Sequence, residues 1–138
     1  MKSLAVLLLF IFLSSSLCTS EPEALIHEGK DFDYPLYGDE IGVKRLLYEV
    51  EGGYQFFYFC EKTKGENKKK CGSWVDKDGA KIKGATNKVT LKKDKAIISA
   101  LGGKDRGRYT SIYEDPKKET FDTVVNVLVE TRPPPPKN

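Results

Sequence analysis

Thiols, one imidazole and a few adjacent carboxylates are the groups in this chain that could carry chemistry. Cysteines stand at 18, 60 and 71 of 138 residues, and His27 is the sole histidine. A zinc site needs three or four N, S or O ligands converging on one point, and His27 has neither a neighbouring cysteine nor an i+4 partner. Asp76 with Asp78, and Glu114 with Asp115, could in principle share acid and base roles. Both pairs sit in turn-forming sequence, where carboxylates serve solvation and backbone hydrogen bonding. The chain contains no Gly-x-Ser-x-Gly, phosphate loop or dinucleotide fingerprint. It reads as non-catalytic, with no metal and no cofactor expected.

The thiols speak to compartment. Met1 and Lys2 precede an apolar run from Leu4 to Leu13, then small residues lead to Ser20. Residues 1–20 read as a secretory signal peptide, too short in its apolar core to cross a bilayer and cleaved after Ser20, so that Cys18 leaves with it. With no second apolar span and no retention ending, the expectation is a secreted, extracellular protein without a transmembrane anchor. In that oxidising setting Cys60 and Cys71 are expected to bond. The ten residues between them are unlike a redox Cys-x-x-Cys motif. A free, buried Cys60 is the alternative if the loop holds the two apart. No Asn-x-Ser/Thr acceptor for N-glycans occurs.

These residues must be positioned by short strands. Residues 21–43 carry Pro22, Pro35 and several glycines among scattered large apolar groups, and read as an irregular segment packed across one domain spanning 44–130. Arg45 to Val50, then a Glu51-Gly52-Gly53 turn, then the aromatic run Tyr54 to Cys60 suggest two strands. Glu61 to Lys70 reads as a polar loop, and Asp78-Gly79 as a tight turn. Lys88 to Leu91, Ala96 to Leu101 and Thr123 to Glu130 are further strand candidates. Residues 131–138 hold four consecutive prolines and read as an extended tail.

Lys104 to Tyr113 resembles strand F of an immunoglobulin-type sandwich: Asp105, Gly107 and Tyr109 match the corner in which a Tyr hydroxyl bonds back to the backbone. Glu51-Gly52 before a strand ending in Cys60 resembles strand B of an I-set domain, and Ser73 to Gly79 resembles strand C with Trp74 as the core tryptophan. The resemblance covers Leu46 to Glu130 and implies an all-β, two-sheet antiparallel sandwich. It departs from the family at Ser111, where the second cysteine of the B–F disulfide usually stands. A Cys60–Cys71 bond would then brace a loop rather than the two sheets.

On that register Cys60, Tyr58 and Phe56 face inward, while Phe57, Phe59 and Gln55 face out, joined by Ile97. Two outward phenylalanines need cover, either from Leu25 to Tyr37 or from a partner or second copy of the chain. On the opposite sheet Arg108, Thr110, Ile112, Val124, Asn126 and Leu128 would face out with Val75. Immunoglobulin-type modules often pair through that face, so the resemblance implies an extracellular or cell-surface protein partner, or self-association. The net charge of +3 is too small to imply nucleic acid by itself. Lys68, Lys69 and Lys70 with Lys92, Lys93 and Lys95 form the alternative site, a patch for a heparan-type polyanion. They lack the interleaved aromatics that single-stranded nucleic acid requires.

Overall fold

Tyr109 fixes the fold. Its ring is fully buried, and its hydroxyl donates to the carbonyl of Asp105 at 2.6 Å, the tyrosine corner expected from the sequence. Around it the computed structural model describes residues 20–120, 123–131, 136 and 137. The expected signal peptide lies, but for Ser20, outside the described residues, as does most of the proline tail.

The strands are β1 (Glu23–His27), β2 (Phe32–Pro35), β3 (Glu40–Leu47), β4 (Gln55–Tyr58), β5 (Trp74–Val75), β6 (Val89–Leu91), β7 (Lys95–Ile98), β8 (Gly107–Tyr113) and β9 (Val125–Glu130). They form a six-stranded sheet in the order β1-β9-β8-β3-β4-β5 and a three-stranded sheet in the order β2-β7-β6. All pairings are antiparallel except β1 with β9. A single-turn helix, α1 (Glu66–Lys69), lies in the loop after β4. Inner faces alternate with outer ones along each strand, and Tyr34, Val43, Phe57, Trp74, Ile98, Tyr109 and Val127 share one core.

Three expectations are corrected. Residues 21–43 are not irregular: they supply β1, β2 and the start of β3, so the sandwich begins at Glu23. The Tyr54 to Cys60 run is not strand B. It lies in the six-stranded sheet between β3 and the edge strand β5, and Trp74 reaches the core from that edge. The I-set assignment loses its basis with that strand, because two strands beyond β3 make the nine-strand, variable-type arrangement.

The facing of β4 is also reversed. Phe57 and Phe59 are buried in the core, Phe57 meeting Trp74 edge to face at 5.4 Å, while Phe56 and Tyr58 turn to the outer surface. The cause is a shift of one residue in parity, which exchanges the two faces of a strand. Cys60 lies two residues beyond the end of β4, so its direction does not report the alternation within it. The Cys60–Cys71 disulfide is present and closes the loop carrying α1.

Gly42 and Gly107 are required by close approach of neighbouring strands. A Cβ at Gly42 would stand 2.2 Å from the Phe57 carbonyl oxygen, and one at Gly107 would stand 2.3 Å from that of Leu46.

Candidate interaction surface

Two buried polar clusters hold the sheets in place and fix which side chains reach the outer face. In the first, Arg45 is 1% exposed. It donates to Gln55 Oε1 at 2.8 Å, Asn87 Oδ1 at 3.1 Å, Tyr109 Oη at 3.2 Å and Asp105 Oδ1 at 3.4 Å. Its guanidinium also sits 3.9 Å from the centroid of Trp74, a cation–π contact in a desolvated setting. Burial pushes the Tyr109 phenol up to about 12, against the pull of Arg45. In the second cluster Tyr34 Oη bonds Ser111 Oγ at 2.9 Å and donates to the Thr123 carbonyl. Burial raises the Tyr34 phenol well above its ordinary value.

With Arg45, Gln55, Phe57, Tyr109 and Ser111 committed inward, alternation sends their neighbours outward. Tyr54, Phe56 and Tyr58 form a ladder along β4, with centroids 6.3 Å apart at each step and the upper pair stacked at 9°. Lys44 spans from that ladder to the far side, with Nζ 5.2 Å from the Tyr54 ring and 2.7 Å from Glu119. Tyr58, Gly42 and Ile112 are register neighbours across three strands. At the other side of the sheet Leu25 and Leu128 are paired in register and exposed at 64% and 38%. Tyr48, also exposed, donates from its hydroxyl to Asn126 Oδ1 at 2.7 Å. Arg108 forms an ion pair with Glu21, which Asn126 also bonds, and these contacts hold the Glu21 carboxyl below its usual range.

The structure redistributes the residues singled out from sequence. Ile112 and Leu128 lie on the outer face of the six-stranded sheet. Val124 and Val75 lie there too, but are buried and present little surface. Ile97 is half-buried on the separate three-stranded sheet. Phe57 and Phe59 are interior. Tyr54, Phe56, Tyr58, Tyr48 and Leu25 were missed as surface groups. The signal for the first three was present, since their i, i+2 spacing marks one face, but the wrong face was chosen.

Lys68 and Lys69 lie in α1 with Lys70 just after it, Lys92 and Lys93 lie in the β6–β7 turn, and Lys95 opens β7. Several are already engaged. Lys68 donates to the Cys60 carbonyl, Lys69 pairs with Glu66 at 3.1 Å and Lys95 with Asp33 at 3.0 Å. Lys70 packs its methylenes beside Gly79. Lys92 and Lys93 are exposed without an ion pair among the described residues. Among the described residues no group of three or more His, Cys, Asp and Glu is arranged to hold a metal. No described helix is long and apolar enough to cross a membrane.

The order of the two sheets and the tyrosine corner define this chain as an immunoglobulin-type β-sandwich, although Trp74 fills the core from the edge strand β5 and not from the strand C position expected from sequence. No family model matches it, and no curated protein matches it. Among solved structures it is similar to the extracellular fragment of novel immune-type receptor 11 from Ictalurus punctatus, including its stalk region. That match has 12% identity and a TM-score of 0.42 over 87% of this chain and 93% of the other. The extracellular fragment of novel immune-type receptor 10 from the same fish matches at 12% identity and a TM-score of 0.37, over 81% and 98%. The fold assignment rests on strand order and register, not on these distant likenesses.

Proposed function

We propose that this chain is a secreted, non-catalytic interaction module that binds an extracellular or cell-surface protein, or a second copy of itself, through the outer face of its six-stranded sheet. Residues 1–20 serve as the signal peptide, 21–130 as the binding domain and 131–138 as a spacer. The observation that carries this reading is the Tyr54, Phe56 and Tyr58 ladder, with the exposed Leu25 and Leu128 pair on the same face. Aromatic side chains offer large contact area at low conformational cost, and they are enriched at contact sites. Lys44 on β3 and Arg108 on β8, paired with Glu119 and Glu21, stand between the ladder and the leucine pair and add polar contacts to the face, and the disulfide supports passage through an oxidising compartment.

The test is binding of the labelled, secreted chain to cell surfaces, with sizing of the free chain by light scattering. Tyr54→Ser with Leu128→Ser is expected to abolish binding or self-association, while Lys92→Glu with Lys93→Glu leaves it unchanged. The opposite pattern, with affinity falling steeply as salt rises, would favour the polyanion reading that the unpaired Lys92 and Lys93 support.

A further inference from the structure

β5 has two residues and β6 three, so along this side neither sheet edge is long enough to close on the other. Residues 76–88 cross the gap instead. Trp74 anchors this crossing twice: its carbonyl accepts from Ile82 N at 3.0 Å, and its indole Nε1 donates to the Asn87 carbonyl at 3.0 Å. Residues 83–86, between the anchors, make no hydrogen bond among the described residues.

Beside the crossing lies an open cavity of about 490 Å³, with the buried Phe57, Phe59 and Trp74 at its floor and the half-buried Val89 and Leu91 of the other sheet along its side. The volume falls within the range of small-molecule sites, about 300–1,000 Å³, and the lining mixes apolar with polar and charged groups, as an amphiphile requires. Lys81 and Lys88 line the same cavity and are exposed, and neither ammonium makes an ion pair or hydrogen bond among the described residues. Glu61, the one carboxylate in the lining, lies next to the disulfide and not on the crossing segment.

We propose that this opening binds a single-chain amphiphile with an anionic head group. Its hydrocarbon chain lies along the half-buried Ile82, Ala85, Val89 and Leu91, over a floor of Phe59 and Trp74, and its carboxylate or phosphate meets Lys81 and Lys88. The two free ammoniums select an acidic head over a neutral one. The opening is at the side of the sandwich, so this inference stands apart from the protein-binding face.

Trp74 is the only tryptophan in the chain and forms part of the floor, which makes its emission a direct reporter. Oleate and oleoyl lysophosphatidate are titrated separately into the secreted protein, below micelle-forming concentrations, with stoichiometry read by native mass spectrometry. At least one acid is expected to shift the emission saturably at one ligand per chain, and comparing the two midpoints identifies the preferred head group. Lys81→Glu with Lys88→Glu, both exposed and not needed for folding, should raise the midpoint at least tenfold. Monoolein, with the same chain and no charge, should bind at least tenfold more weakly. A response that never saturates, a monoolein midpoint equal to that of the acids, or an unchanged midpoint in the lysine variant would overturn the proposal.

Discussion

The hydroxyl of Tyr34 lies 2.9 Å from that of Ser111, across the interior between β2 and β8. These are the strands that the B–F disulfide ordinarily joins in immunoglobulin domains. Here a phenol spans the gap and bonds the Thr123 carbonyl as well. Tyr34→Phe strands two buried partners and should cost about 1–3 kcal/mol, read as a lower urea midpoint with an unchanged m-value. Ser111→Ala should cost less, because Tyr34 keeps its Thr123 bond.

Arg45 joins β3, β4, β8 and the segment before β6 through four hydrogen bonds and the face of Trp74. Arg45→Met keeps much of the volume and removes the charge, leaving Asp105 and Gln55 without it. A loss of about 3 kcal/mol or more is expected, as for other buried charges deprived of a partner. Near-ultraviolet circular dichroism of the single tryptophan should report the same change.

Alkali should unfold this domain early. Burial lifts the Tyr109 phenol from 10.0 to about 12, and lifts Tyr34 as well. A group whose folded pKa is raised contributes stability that is complete below its unfolded value and is lost as pH climbs through the folded one. Between pH 10 and 12, Tyr109 alone should therefore forfeit about 2–3 kcal/mol. Urea midpoints at pH 8, 10 and 11.5 check this, and Tyr109→Phe should start lower but fall less steeply.

Gly42 tests the packing of the sheet itself. A Cβ there would lie 2.2 Å from the Phe57 carbonyl oxygen and 3.2 Å from Ile112, so β3 must shift against β4. Gly42→Ala should cost roughly 1–3 kcal/mol, the usual range for overpacking. Partner binding should weaken with it, because Tyr58 and Ile112 flank this position on the outer face.

Much of the second half of the chain was legible in sequence. Asp105, Gly107 and Tyr109 carry a corner with a stated hydrogen bond, and the strands on either side follow from their spacing to it. The first half was not legible because the usual marker of strand B is a cysteine, and Tyr34 stands in its place. Cys60, in an aromatic strand after a Glu-Gly pair, took that marker's role and moved two strands along the chain. Pro35 and the short span of β2 gave no competing signal, since four residues ending in proline read as a break. The same misplacement reversed β4, so its interior phenylalanines were read as the surface and its Tyr54, Phe56 and Tyr58 ladder as the core.

The most direct measurement of the contact surface is oxidative footprinting of the chain, free and bound at a cell surface. The account predicts protection of Tyr54, Tyr48, Leu128 and Leu25, with Lys92 and Lys93 as open to amine labelling as in the free protein. Protection of the lysine-bearing turn, with Tyr54 and Leu128 still fully reactive, would contradict it.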